Sequence, residues 1–295
     1  MRIVSLVPSA TESLFALGLG AQVAAVTHEC DYPADARNLP KVTRDVIGPG
    51  LPPGEIDRAV RELTEQGRSI YELDGPGLLA LKPDLIVTQA LCSVCAVSVD
   101  DVRAIASELD PVPAIVSLDP HTLGEVLGDL RTLAAATDAS AAELVAEAAA
   151  RIDAVRIATA GTERRRVVML EWLDPIFAGG HWVPQLIEYA GGTDLLGLAG
   201  EPSEQRTWEE AAAARPEVVI VAPCGYDVER GLAEARQYEG RLRALGAGTI
   251  AIADASAWFS RPGPRLVDGL EWLGHVLHPG RVPEPPGGVT YLGVR

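Results

Sequence analysis

The sequence predicts an α/β protein of two lobes joined by one long helix. Three observations carry this. Short apolar runs alternate with helical segments in residues 1–120. A second alternating series begins near residue 163. Between them, residues 122–160 are almost continuously helical in pattern and rich in Ala. Alternating strands and helices imply parallel sheets covered by helices.

The first series opens with the strand RIVSLV (2–7). Ser9, with Glu12 three residues on, reads as a capping box for a helix running to about Leu17, where Gly18 ends it. VAAVT (23–27) is the second strand. EIDRAVRELTEQ (55–66) places Ile56, Val60 and Leu63 on one helical face and stops at Gly67. A short helix in GPGLLALKPD leads into the strand DLIVTQ (84–89). A helix over 100–109 and the strand PAIVSLD (113–119) complete the lobe. The helical middle breaks weakly at 137–140, where Ser140 can cap a second helix lying near 140–160. Then come the strand RRVVMLEW (165–172), the helix WVPQLIEYA, a turn at GGTDLL and the helix TWEEAAAAR. The strands EVVIVAP (217–223) and TIAIADAS (249–256) and the helix PRLVDGLEWLGHVLH follow. The expected boundaries are an N-terminal lobe at 1–120, a helical linker at 121–162, a C-terminal lobe at 163–278 and an irregular Pro/Gly-rich tail at 279–295.

Composition narrows the function. With 41 acidic and 25 basic residues, the net charge of −16 repels nucleic-acid backbones and anionic lipid. No apolar run has transmembrane length, and MRIVSLVPSATE enters a strand with no secretory-signal pattern. The expectation is a cytoplasmic protein, where stable disulfides are disfavoured.

In open α/β sheets, ligands sit at the carboxyl ends of the strands. There the sequence places His28, Glu29, Cys30 and Asp31, then Gln89, Cys92 and Cys95. In the second lobe come Glu171, Trp172 and Asp174, with His181 and Trp182 just beyond, then Cys224, Tyr226 and Asp227, and finally Trp258, Phe259 and Ser260. All four cysteines of the chain are in this set. Cys30, Cys92, Cys95 and Cys224, with His28 or His181 replacing one ligand, could hold zinc or an iron–sulfur cluster, because soft thiolates prefer such centres. Alternatively Cys92 and Cys95 form a redox dithiol, or the thiols are inert packing. An enzyme with a cysteine nucleophile and His28 or His181 as base would need a recognisable nucleophile signature, and none is present, so no catalytic residue is assigned.

The segments IVSLVPSATESLFALGLG, VAAVTHECDYP, LLALKPDLIVTQ, VVMLEWLDPIFAGGHWVPQLIEYAGG, TWEEAAAARPEVVIVAP and AWFSRPGPRLVDGL resemble the helical-backbone metal-receptor family. This is the class III periplasmic-binding-protein family of ABC-transporter substrate-binding proteins, which includes vitamin B12-binding and ferric-siderophore-binding proteins. The resemblance covers residues 1 to about 278. It implies two Rossmann-like lobes bridged by one helix, with ligand in the interlobe cleft. It also implies a corrinoid packed on aromatic residues, with Tyr32, Trp172, Trp182, Trp258 and Phe259 on or near those positions. The expected function is a ligand-binding protein for a metal-containing ligand such as cobalamin, with Glu171, His181 and Tyr226 joining those aromatics. The alternative is a metalloprotein or enzyme with Cys-ligated zinc or an iron–sulfur cluster in the same cleft. Residues 43–77 read as an insertion, and the cysteines depart from the family pattern. The missing export signal and the cysteines put docking on an ABC importer in doubt.

Overall fold

The computed structural model describes residues 1–48, 50–90 and 97–293. The chain divides into two compact units, one of Met1–Pro120 with Val126–Val145, the other of His121–Glu125 with Ala146–Arg295.

The first unit runs β1 (Ile3–Ser5), α1 (Pro8–Ala16), β2 (Val23–Val26), β3 (Thr43–Asp45), α2 (Pro53–Glu65), β4 (Tyr71–Leu73), α3 (Gly75–Leu81), β5 (Leu85–Gln89), α4 (Val99–Ala106) and β6 (Ala114–Leu118). Its main sheet has the order β2-β1-β5-β6, and every pair in it is parallel. Parallel strands covered by helices are buried on both faces, which is why these read as unbroken apolar runs. Ile3 and Val87 point to the face covered by α1, with Ala10 and Leu14. Val4, Leu6 and Ile86 point to the opposite face, with Leu78 of α3 and Val102 of α4.

The helix expected at Ser9 starts one residue earlier. Pro8 takes the first helical position, and no side chain caps it. Ser9 and Glu12 are therefore buried helix residues rather than a capping box. Gly18, at φ +76°, ends the helix as expected. β3 and β4 form an antiparallel ribbon between Thr43 and Leu73 that the sequence did not announce. At three residues each, TRD and YEL are too short and too polar to show a period.

The helical middle divides into α5 (Leu123–Ala136) and α6 (Ala142–Thr159), with the Ser140 hydroxyl accepting from the Ala142 N–H at 3.3 Å. The first turn of α5 belongs to the second unit, and the chain enters that unit again within α6, between Val145 and Ala146. An 18-residue helix extends about 27 Å. The molecule is thus an α/β protein of two Rossmann-like units bridged by one helix.

The second unit continues with β7 (Arg165–Leu173), β8 (Ile176–Ala178), α7 (Val183–Tyr189), β9 (Gly192–Asp194), β10 (Glu204–Gln205), α8 (Trp208–Ala213), β11 (Val218–Val221), α9 (Val228–Gln237), α10 (Glu239–Ala244), β12 (Thr249–Ile252), α11 (Ala255–Trp258), α12 (Leu266–Leu277) and β13 (Thr290–Tyr291). The sheet order is β10-β8-β7-β11-β12-β13, with β9 pairing parallel to the start of β7. Two expectations change here. GGTDLL is not only a turn, because Gly192–Asp194 joins the sheet. The tail is not wholly irregular, because β13 runs antiparallel to β12. Among the described residues, no helix is long and apolar enough to cross a membrane.

The second half of α6 packs on α12. Gly274 lets the two helices approach: a Cβ there would sit 2.9 Å from the Val155 side chain. Beside it, the Arg151 guanidinium donates to Glu271 at 2.6 and 2.8 Å and to Asp268 at 2.5 Å. The forked guanidinium matches two carboxylates at once. These groups are partly solvated, so the cluster is worth less than a buried one. We expect Arg151→Met to cost about 1–2 kcal/mol, read as a fall of several degrees in thermal midpoint with no change in circular dichroism at low temperature.

Candidate functional site

In the first unit, the loop after β2 is tied down by hydroxyls. Thr43 of β3 lies 2.7 Å from both Thr27 Oγ1 and His28 Nδ1, and accepts from the His28 N–H at 3.0 Å. His28 Nε2 sits 3.3 Å from Glu29 Oε1, and the ring meets Tyr71 edge-on at 5.0 Å. His28 is therefore held to the β3–β4 ribbon from several sides. Cys30, only 3% exposed, packs in the core with Val7 and Leu14, its Sγ 3.1 Å from Thr11 Oγ1. Tyr32, two residues on, is 47% exposed.

In the second unit, the register of β7 against β8 shifts between Leu170 and Trp172, which isolates Glu171 in a bulge. Bulges re-aim side chains. The Glu171 carboxylate accepts from Ser203 Oγ at 2.5 Å and from the Gly180 N–H, with Asp194 nearby. Burial pushes its pKa from 4.5 to about 7, against the pull of those two donors. Gly180 has no room for a side chain: a Cβ would lie 2.3 Å from the backbone nitrogen of Ser203. The glycine pair after β8 thus threads the chain past Ser203 and Glu171 on its way to His181 and Trp182.

Trp182 is buried, and its indole N–H donates to the Phe259 carbonyl at 2.8 Å. Phe259 is buried against Trp272, which also packs on the half-buried Trp258. At the end of β7, Trp172 is half-buried and meets the buried Tyr226 edge-on at 5.6 Å. The Arg230 guanidinium stacks 3.6 Å from the centre of the Tyr226 ring. The Tyr226 hydroxyl bonds Glu234 of α9, and burial pushes this phenol up to about 12. Glu234 is 4% exposed, and burial raises its pKa from 4.5 to about 7. Among the described residues its Oε1 has no hydrogen-bond partner, which favours the neutral acid.

Of the expected contact residues, Tyr32 lies on the first unit, and Glu171, Trp172, His181 and Trp258 lie half-buried on the second. Trp182, Tyr226 and Phe259 are buried within the second unit. Of the thiols, Cys30 is core-facing, whereas Cys224 is exposed, its N–H donating to the Glu171 carbonyl at 2.9 Å. Cys92 and Cys95 lie outside the described residues. Among the described residues, no three of His, Cys, Asp or Glu are gathered to hold a metal ion. Sequence reasoning missed Ser203, Gly180, Arg230 and Glu234. Only Glu234 left a trace, sharing the buried face of α9 with Gly231 and Ala235 at helical spacing.

Comparison with known proteins defines the class. Residues 3–240 match the family described as periplasmic binding protein, and the chain belongs to that family. The Vitamin B12-binding protein of Vibrio cholerae serotype O1 is 24% identical over 286 residues, spanning 92% of this chain and 86% of the relative. The Vitamin B12-binding protein of Yersinia pseudotuberculosis is 24% identical over 276 residues, spanning 92% and 84%. Among solved structures, the periplasmic vitamin B12 binding protein BtuF of Vibrio cholerae superposes with a TM-score of 0.65 at 24% identity, covering 94% of this chain and 96% of that one. A periplasmic heme binding protein from Pseudomonas aeruginosa superposes with a TM-score of 0.71 at 19% identity, covering 100% and 98%.

Glu171 and Glu234, the carboxyls raised furthest toward neutrality, contribute a pH dependence. Between their unfolded value of 4.5 and about 7, the folded state holds protons that the unfolded state has released. Stability therefore falls as pH rises through this window. The thermal midpoint is expected to drop between pH 5 and pH 8, and Glu171→Gln with Glu234→Gln should flatten that slope. An unchanged slope in the double variant would refute the assignment. Gly180→Ala should destabilise the fold by roughly 1–3 kcal/mol through overpacking against backbone, checked by denaturant unfolding.

Proposed function

We propose that the protein binds a metal-containing tetrapyrrole-type ligand, a corrinoid such as cobalamin, at the carboxyl edge of the second unit's sheet. The observation that carries this is the run of aromatics there. Trp172 ends β7, Tyr226 follows β11, and Trp258 follows β12, so three adjacent strand ends each deliver a ring. The Tyr226 carbonyl accepts from the Ser256 N–H at 3.0 Å, which joins the last two loops. Trp172 and Trp258 are partly exposed, Trp172 against the buried Tyr226 and Trp258 against the buried Trp272. A flat macrocycle buries most area against such rigid rings, at little entropic cost to the protein. The B12-binding relatives support a corrinoid, and the same fold in heme-binding proteins makes heme the natural competitor. The metal would arrive inside the ligand, so the reading asks for no protein-bound metal.

Titration with cyanocobalamin and, separately, with hemin tests this by quenching of tryptophan fluorescence and by thermal shift. Cobalamin should bind with one-to-one stoichiometry. Trp172→Ala and Trp258→Ala should each weaken it by about tenfold, the worth of one aromatic stacking contact. No thermal shift with any cobalamin, or hemin binding that outcompetes it, would sink the proposal.

A further inference from the structure

The ligand site leaves Glu234 unused. Its carboxyl lies inside the second unit, 4% exposed. Among the described residues its Oε1 has no hydrogen-bond partner. Its one polar link of that kind is to the Tyr226 hydroxyl. Arg230 stands one turn earlier on α9, so the two side chains share a face of the helix. That face grips Tyr226 twice. The Arg230 guanidinium covers the ring at 3.6 Å, and Glu234 takes the hydroxyl.

Tyr226 in turn joins the two tryptophans of the proposed site. Its ring meets Trp172 edge-on at 5.6 Å. Its carbonyl accepts from the N–H of Ser256, two residues before Trp258, at 3.0 Å. Beside it, the Gly225 N–H donates at 3.1 Å to the hydroxyl of Ser260, two residues after Trp258. The loop after β11 is therefore tied to the loop after β12 on both sides of Trp258.

We propose that Glu234 is a positioning residue whose proton sets how tightly the aromatic site holds its ligand: protonated, it keeps Tyr226 seated against Trp172, and ionised, it unseats it. This rests on the ligand site proposed above. The groups around Glu234 explain why the charged form does not fit the observed arrangement. Asp174, in the turn between β7 and β8, repels it, and the Tyr238 hydroxyl donates to Asp174 Oδ2 at 3.1 Å. Asp227 is engaged as the N-cap of α9. β12, packed on α9, brings only the uncharged Thr249–Ile252. α10, also packed on α9, keeps Glu239 and Arg243 paired at 2.7 Å and lays Arg241 over Trp208. Arg230 alone attracts the carboxylate, and it is exposed and occupied on the Tyr226 ring. Once the proton leaves, the buried oxygen draws Arg230 off the ring, because an unpaired buried charge is the costlier state. Tyr226 then loses the cation on its face and its fixed contact with Trp172. Burial holds the carboxyl up to about 7, so the change falls near neutrality. The proton is lost as pH rises, and the ligand is held more tightly below that value than above it.

The test follows the protein from pH 5.5 to pH 8.5, alone and with cyanocobalamin. Without ligand, the near-ultraviolet circular dichroism of the Trp172–Tyr226 contact should pass through a transition near neutrality. Glu234→Gln, which fixes the neutral form at nearly constant volume, should abolish it. With cyanocobalamin, the Kd of the natural chain should rise about tenfold across the range, the linkage of one pKa unit. Glu234→Gln should keep at pH 8.5 the affinity that the natural chain shows at pH 5.5, whereas loss of a merely structural residue would weaken binding at both ends. Should Glu234→Gln misfold, Arg230→Gln should move the transition to higher pH, because the cation that favours the carboxylate is gone. Should cyanocobalamin bind at no pH, the ligand reading fails, and the ligand-free transition with its loss in Glu234→Gln still decides the role of Glu234. A flat near-ultraviolet signal, a transition of the same size in Glu234→Gln, or a Kd that stays constant through the transition would each overturn the proposal.

Discussion

The hydrogen-bonded pairing of β7 with β11 is the constraint on which the second unit rests. The register runs unbroken from Val167 opposite Val218 to Leu170 opposite Val221. Beyond Leu170 the partner on the other side, β8, slips, and β7 is released from strict alternation. Glu171 is carried into the protein by that slip rather than by any preference of its own. A carboxyl in such a place must find donors or stay protonated. It does some of each, with Ser203 and Gly180 as donors and a pKa of about 7. Loops after β8, β9 and β11 are thereby gathered about one strand end.

The first unit solves its loop problem differently. Thr11, Ser5 and Cys30 form a chain of small polar groups beneath α1, and Thr27, Thr43 and His28 form a second beside it. Each buried hydroxyl in these chains has a partner, as low-dielectric surroundings demand. The HEC stretch thus ties the sheet to the ribbon. A thiol turned into the core offers its sulfur to Thr11 and apolar neighbours.

Much of the architecture was legible because parallel strands must be apolar on both faces. IVSLV, LIVTQ, VVML and VVIV announce themselves without any period. What stayed hidden was short or polar: the β3–β4 ribbon, the two residues of β10, and the helices α9 and α10. The aromatic positions were legible as strand ends, but not their orientation. A loop has no period, so nothing in WFS tells that Phe259 turns inward while Trp258 stays half-exposed. The partners of Glu171 were invisible because Ser203 lies thirty-two residues away.

The pairing of β13 with β12 has a consequence for how the protein is made. Until Thr290 and Tyr291 arrive, Ala251 and Ile252 present an open row of backbone donors and acceptors. The strand that covers them lies beyond α11 and α12, so it leaves the ribosome well after β12. A nascent chain therefore carries an uncovered sheet edge while α11 and α12 are made, when a neighbouring chain could add a strand of its own.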